Sequence, residues 1–87
     1  MPEMPEIKVK VKSQKGNCHA GHKVGDEFVI RLCTPEGLCT SAFCTLFPVI
    51  EMLRFGGSYP WMEDPGKAEV ACPDPENPVV FELKRVL

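Results

Sequence analysis

Polar and apolar residues alternate in two segments near the start of the chain. The sequence IKVKVK at residues 7–12 predicts a half-buried strand whose outer face is lined by lysines. The sequence EFVIRL at residues 27–32 alternates in the same way and predicts a second strand. Similar patterns predict a short strand over about residues 67–72 and a last strand over residues 79–86.

A long, largely apolar segment lies between the second and third predicted strands. It follows TPEG at residues 34–37, where Thr34 can cap a helix and Pro35 suits the first helical position. The sequence therefore predicts a helix from this motif to about residue 55, ended by the glycine pair at residues 56–57. Pro48 lies inside it and predicts a kink or a restart.

The order of elements is thus β-β-α-β-β, which favours an α+β domain with an antiparallel sheet backed by one helix. Eighty-seven residues provide one hydrophobic core, so residues 1–87 are expected to form a single domain. Residues 1–6 are expected to be a flexible N-terminus.

The predicted helix is apolar on two sides. One stripe, which includes Ala42 and Leu46, suits packing against the sheet, while Phe43, Phe47 and Ile50 form a second stripe. A single four-stranded sheet covers only one side of a helix. We therefore expect a homo-oligomer that forms through the helix at residues 37–55.

Charge and composition narrow the classes of partner. The net charge is −2 and the isoelectric point is about 5.6, which argues against nucleic acid as a partner. No apolar run approaches the length that crosses a bilayer. The N-terminal sequence MPEMPE lacks the basic start and apolar stretch of a secretory signal. A cytoplasmic protein without a membrane partner is expected.

Candidate chemistry centres on five cysteines and a glycine-rich connection. The odd number and the lack of an export signal argue against a disulfide scaffold, so the thiols are packing groups, metal ligands or reactive groups. Cys18 and His22 are spaced as two ligands on one loop could be. The sequence contains no C-x-x-C motif that could supply the remaining ligands of a zinc site. Each histidine alone is more commonly a solvated loop residue.

Connectivity predicts where these groups lie. If the helix runs straight back from the second strand, the connection at residues 13–26 shares one end of the domain with the GGSYPW segment. That end offers a ligand site, and its candidate residues are Cys18, His22, Asp26, Tyr59 and Trp61. Cys39 and Cys72 are expected at the other end, as a buried pair, a metal site for an ion such as zinc or iron, or a redox couple.

Four short motifs occur in a specific order. They are G-x-C-x-x-G-x-x-x-G-D from Gly16, P-x-G-x-C from Pro35, GGSYPW from Gly56, and CPD from Cys72. This pattern resembles a family of short, uncharacterised prokaryotic proteins over residues 7–85. The resemblance implies a compact cytoplasmic domain in which Cys18, Cys39 and Cys72 belong to the family pattern, whereas Cys33 and Cys44 are individual additions. It implies no activity.

Three classes of function remain. The first is a thiol-based role in metal binding or redox chemistry. The second is a small-molecule-binding or enzymatic oligomer with an interface pocket near Cys18 and Trp61, and the third is an accessory interaction module without chemistry. Within the first class, Cys18 is expected to be the most reactive thiol, because it lies in a polar loop where His22 could activate it.

Overall fold

The protein forms a four-stranded antiparallel sheet with one helix packed on it. A computed structural model describes residues 5–86. The elements are β1 (Glu6–Gln14), β2 (Glu27–Ile30), α1 (Thr40–Arg54), β3 (Lys67–Ala71) and β4 (Val79–Val86). The strand order is β2-β1-β4-β3, and every neighbouring pair is antiparallel. The predicted α+β architecture is confirmed.

The core lies between α1 and one face of the sheet. Alternate residues of β1 and β4 point towards the helix and are fully buried, which is the consequence of the two-residue repeat of a strand. The buried apolar residues are Ile7, Val9, Val11, Ile30, Ala42, Leu46, Val49, Ile50, Leu53, Ala68, Val79, Phe81 and Leu83.

The other face of the sheet is polar and faces solvent. Lys8, Lys10 and Lys12 of β1 are exposed there, as the alternating sequence predicts. Lysines of this face form ion pairs with glutamates on other strands. One of them is the pair of Lys8 with Glu27, at 3.3 Å. Exposed pairs of this kind contribute at most about 1 kcal/mol each, so burial on the helix side is the main source of stability.

The helix begins later than the TPEG motif predicts. Its N-cap is Cys39 and not Thr34. Gly37 has a positive φ of 89°, which an α-helix does not accommodate, so the motif forms a turn. Residues 31–39 instead cross from the end of the domain where α1 finishes to the end where it starts. One end of this crossing is marked by the Arg54 guanidinium, which donates to the Arg31 carbonyl at 2.7 Å.

This crossing decides which segments share an end. At the helix-start end, β2, β4 and α1 begin while β1 and β3 finish. At the opposite end, the helix finishes near the end of β4, where Arg85 donates to the Leu53 carbonyl at 2.7 Å. The sequence-based expectation had the helix start at the wrong end.

Two features of α1 differ from the sequence-based expectation. The helix is continuous through Pro48, so it does not restart there. Ile50 is buried, since it lies one turn after the buried Leu46 and faces the sheet. The predicted outer stripe is therefore reduced to Phe43, which is half-buried, and Phe47, which is 49% exposed.

The structure describes part of the N-terminal segment, residues 1–6, that was expected to be flexible. Residues 1–4 of the predicted flexible N-terminus lie outside the described residues, but Glu6 begins β1 and pairs with Val86. Within residues 5–86, no helix has the length and apolar character needed to cross a membrane.

Candidate functional site: a cleft lined by three cysteines

Three cysteines from three separate segments line one cleft at the helix-start end. Cys18 comes from the connection between β1 and β2, Cys39 is the N-cap of α1, and Cys72 follows β3. Each is half-buried, packs against the core and has a free thiol. The prediction that Cys18 lies far from Cys39 and Cys72 is wrong, because the crossing at residues 31–39 carries the helix start to the end where Cys18 lies.

The cleft has a volume of about 390 Å³. Apolar side chains form much of its wall, and polar groups from the same three segments complete it. Besides the cysteines, the lining residues are His19, Ala20, His22, Ser41, Ala42, Pro73, Asp74, Pro75, Asn77, Val79 and Phe81.

His22 joins the glycine-rich connection to the start of the helix. Its Nε2 accepts a hydrogen bond from the Cys39 backbone N–H at 3.1 Å. The ring is only 5% exposed and meets Phe28 and Phe81 edge-on, with centroids 5.4 and 5.9 Å away. Because Nε2 is the acceptor, the proton of the neutral ring is on Nδ1. His22 therefore lines the cleft, but the lone pair on Nε2 already accepts a backbone hydrogen bond.

Cys72 is held by the first residue of β4. The Cys72 backbone N–H donates to the Val79 carbonyl at 2.8 Å, and the Val79 N–H donates to Cys72 Sγ at 3.3 Å. The inward orientation that strand alternation predicts for Cys72 agrees with its contact with the core.

The turn after Cys72 is organised by Asp74. Its carboxylate accepts the Glu76 N–H at 3.1 Å, the Asn77 N–H at 3.3 Å and the Asn77 side-chain amide at 3.2 Å. The Asn77 side-chain bond, aided by the two backbone donors and by the charge of His19, holds the pKa of Asp74 below the usual aspartate value of 3.8 and outweighs partial burial, which would raise it. The carboxylate is thus ionised and tied to its own turn.

Asn77 fastens this turn to the connection that carries Cys18. Its Oδ1 accepts the Asn17 N–H at 2.8 Å, one residue before Cys18. Gly16 has a φ of 68° and leaves no room for a Cβ, which would overlap Asn77 Oδ1. A second bond, from the Lys15 N–H to the Pro78 carbonyl at 3.0 Å, lies beside it. These hydrogen bonds therefore hold the segments that carry Cys18 and Cys72 together at the cleft.

Asn77 is the residue of the site that sequence reasoning missed. A signal was present, because an aspartate followed by an asparagine two residues before a strand suits a turn closed by side-chain hydrogen bonds. The contact with Gly16, 61 positions earlier in the sequence, carries no local signal.

Asp26, predicted as a ligand residue, is engaged in a turn. Its Oδ2 accepts the Lys23 N–H at 2.9 Å, and its carbonyl accepts the Val11 N–H at 2.9 Å. Asp26 lies at the helix-start end but does not line the cleft. Its observed role is to turn the chain into β2.

The prediction that Tyr59 and Trp61 pack near the glycine-rich connection is wrong. Both lie at the opposite end, between Gly57 and Gly66, whose carbonyls both accept hydrogen bonds from Arg85. The two rings stack with centroids 4.5 Å apart and an angle of 16° between their planes. They form no wall of the cleft.

The cysteines do not form a ready-made metal site. Within residues 5–86, no group of three or more His, Cys, Asp or Glu side chains is arranged to hold a metal ion. Cys33 and Cys44 are exposed and lie outside the cleft.

Comparison of the chain with protein-family models, with curated proteins and with solved structures gave no significant match.

Proposed function

We propose that this protein is a thiol-based redox protein that acts through the cleft between Cys18, Cys39 and Cys72. The observation that carries the proposal is the convergence of three free, half-buried cysteines, far apart in the sequence, on one cleft. Buried cysteines that serve only as packing groups need no common opening. Such thiols stay reduced in the cytoplasm, where we place the protein.

Redox chemistry suits this geometry better than metal binding does. A disulfide needs two sulfurs whose Cα atoms can approach to roughly 4.4–6.8 Å, whereas zinc needs about four ligands around one point. Other groups at the cleft are already engaged, since His22 Nε2 binds the Cys39 N–H and the Asp74 carboxylate binds its own turn. His19 and Ser41 also line the cleft, but among the lining residues only the thiols can be oxidised to a disulfide.

The experiment begins from a variant in which the two exposed cysteines are removed, Cys33→Ser with Cys44→Ser. Reduced protein is oxidised with diamide, digested and mapped by mass spectrometry. We expect the loss of two hydrogens and a disulfide between two of Cys18, Cys39 and Cys72. A protein that keeps three free thiols under these conditions contradicts the redox role.

The same variant tests metal binding as the alternative outcome. Zn²⁺ or Cd²⁺ is added to the reduced protein without oxidant, and bound metal is measured after gel filtration, with thiolate-to-Cd²⁺ absorbance as a second signal. A stoichiometric complex that is lost in Cys39→Ser and Cys72→Ser, together with resistance to diamide, favours the metal-binding role over redox chemistry.

We also propose that two copies of the chain associate through the outer side of α1. Phe47 is half exposed and contacts Phe43 with centroids 5.9 Å apart. Cys44 and Pro48 beside it are exposed as well, so the surface formed by residues 43, 44, 47 and 48 carries no charge. An isologous contact between two such surfaces buries the same residues of both chains.

A further inference from the structure

We propose that the cleft takes a low-molecular-weight disulfide and that Cys39 is the thiol that attacks it. This inference rests on the redox role proposed above and names its substrate class and its first step.

The size and lining of the cleft favour a small organic molecule. Its volume of about 390 Å³ lies within the range of roughly 300–1,000 Å³ typical of small-ligand pockets. Ala20, Pro73 and Pro75 are exposed and provide apolar surface beside the thiols. A small disulfide has an apolar S–S centre that such a wall can cover.

Cys39 is distinguished by its place at the start of α1. As the N-cap residue it lies where the positive end of the helix dipole favours a negative group. The first turn contains no acidic residue, and no side chain caps the helix. Ser41 and Ala42 of this turn line the cleft next to Cys39. The thiolate is the form that attacks disulfides, and Cys39 is the cleft cysteine that belongs to the N-terminus of α1.

The hydrogen bond from the Cys39 N–H to His22 fixes this arrangement. Because Nε2 accepts the Cys39 N–H at 3.1 Å, the N-cap residue is held with its backbone against a buried ring. His22 is thus a positioning residue that keeps Cys39 at the cleft.

The reaction runs in two exchange steps. The Cys39 thiolate attacks one sulfur of the substrate RS–SR, so a Cys39–SR mixed disulfide forms and RS⁻ leaves and takes a proton from water. A second cleft thiol, as its thiolate, then attacks Cys39 Sγ, the mixed disulfide breaks and the second RS⁻ leaves. Two electrons pass from the protein dithiol to the substrate, which is reduced to two RSH.

Cys18 is assigned as the second thiol. Cys72 Sγ accepts the Val79 N–H at 3.3 Å and is held beside β4. Cys18 lies in the loop connection between β1 and β2, and its carbonyl accepts the Gly21 N–H at 2.9 Å while its side chain lines the cleft. A side chain on a loop can move towards Cys39 with less loss of backbone hydrogen bonds than one held by a strand.

The test uses bis(2-hydroxyethyl) disulfide as the probe and the variant without Cys33 and Cys44 as the parent. Reduced protein is mixed with the probe without oxygen, stopped with acid and mapped by mass spectrometry. The parent is expected to form a Cys18–Cys39 disulfide with release of two 2-mercaptoethanol molecules. Addition of Cys18→Ser is expected to stop the reaction at a mixed disulfide on Cys39. Cys39→Ser is expected to lose the reaction.

Cys39→Ser is suited to this test because serine is among the best N-cap residues. The first adduct on the parent, trapped at short times, identifies the attacking thiol without any cleft substitution. A first adduct on Cys18 or Cys72 overturns the assignment of Cys39.

The outcomes separate this inference from the proposed function. If diamide forms a disulfide within the cleft but the probe does not react, the small-disulfide inference fails and the redox role stands. If neither reagent oxidises the cleft thiols, the redox role itself fails. Probe reaction that persists in Cys39→Ser at the parent rate overturns only the role of Cys39.

Discussion

The ring of His22 accepts the backbone N–H of Cys39 at 3.1 Å through Nε2, which links the glycine-rich connection to the N-cap residue of the helix. The helix has no side-chain cap of its own at this N-terminus. Four N–H groups at the start of any α-helix lack partners within it. The N-cap amide is bonded instead by a residue from another part of the chain, so the helix start and the connection are coupled.

We predict that His22→Phe lowers the free energy of unfolding by about 1–3 kcal/mol, the usual cost of leaving a buried donor unsatisfied. Phenylalanine keeps an aromatic ring against Phe28 and Phe81 but has no acceptor for the Cys39 N–H. Urea unfolding followed by circular dichroism measures the change. His19→Phe is the matched control, since His19 is exposed. Equal effects of the two substitutions would show that the hydrogen bond contributes nothing.

Gly16 tests a second contact, between the glycine-rich connection and the turn that carries Asn77. Gly16→Ala places a Cβ against Asn77 Oδ1 at a residue whose φ is 68°. Gly21→Ala introduces the same methyl group at a φ of 79°, with no atom within 4 Å of it. We predict a loss of about 1–2 kcal/mol for Gly21→Ala from backbone strain alone. For Gly16→Ala we predict about 1 kcal/mol more, because the Asn17–Asn77 hydrogen bond must also shift.

The measured quantity is the difference in stability between Gly16→Ala and Gly21→Ala. Thermal unfolding of both proteins gives this difference. If Gly16→Ala is no less stable than Gly21→Ala, Asn77 moves aside without cost and the two loops are not fastened together. Gly16→Ala is also predicted to slow formation of the cleft disulfide, since it displaces the segment that carries Cys18.

The strands could be predicted from the sequence because alternation is a local signal. IKVKVK lies within β1, residues 79–86 match β4, and the ends of β2 and β3 differ from prediction by one or two residues. The lysine-lined outer face was predicted for the same reason. The helix was predicted to exist, but its start was placed at TPEG, where Gly37 has a positive φ and the chain turns instead.

The arrangement of the site could not be predicted because it depends on that start. With a helix beginning at Thr34, Cys39 falls at the end of the domain away from Cys18. The extended crossing of residues 31–39 reverses this placement and separates Cys18 from Trp61. No local pattern shows how much chain is needed to reach the start of the helix. Cys18, Cys39 and Cys72 were named as candidates, but they were placed at different ends of the domain.

A pH dependence is predicted from Asp74. Because its folded-state pKa lies below the usual 3.8, the ionised carboxylate stabilises the fold at pH values above 3.8, and this contribution is lost as the pH falls through the folded-state value. Asn77→Ala removes the hydrogen bond that lowers the pKa most. We therefore predict that the carboxyl resonance of Asp74, followed by NMR, titrates at higher pH in Asn77→Ala than in the unchanged protein.

A second measurement compares the thermal stability of the unchanged protein and of Asp74→Asn between about pH 2 and 5, the range in which carboxylates titrate. Acid is expected to lower the stability of Asp74→Asn less than it lowers the stability of the unchanged protein. An identical acid dependence in both proteins would contradict the role of Asp74 in holding the turn.

Association through α1 is tested at Phe47. Phe47 is 49% exposed, so Phe47→Glu leaves the buried core of one chain in place while it puts a charge into the proposed contact. We predict that the unchanged protein has a mass above the 9.7 kDa of one chain at micromolar concentration. We predict that Phe47→Glu weakens association about tenfold or more, which corresponds to roughly 1.4 kcal/mol or more. Sedimentation equilibrium measures both.

Leu32→Glu is the control, because Leu32 is 86% exposed and lies in the crossing segment outside α1. The same charge at this position is expected to leave the association constant unchanged. If both variants dissociate alike, net charge and not the helix surface governs association. If the unchanged protein sediments as a single chain and Phe47→Glu unfolds at the same urea concentration, the apolar side of α1 faces solvent in a monomer and the proposed contact does not form.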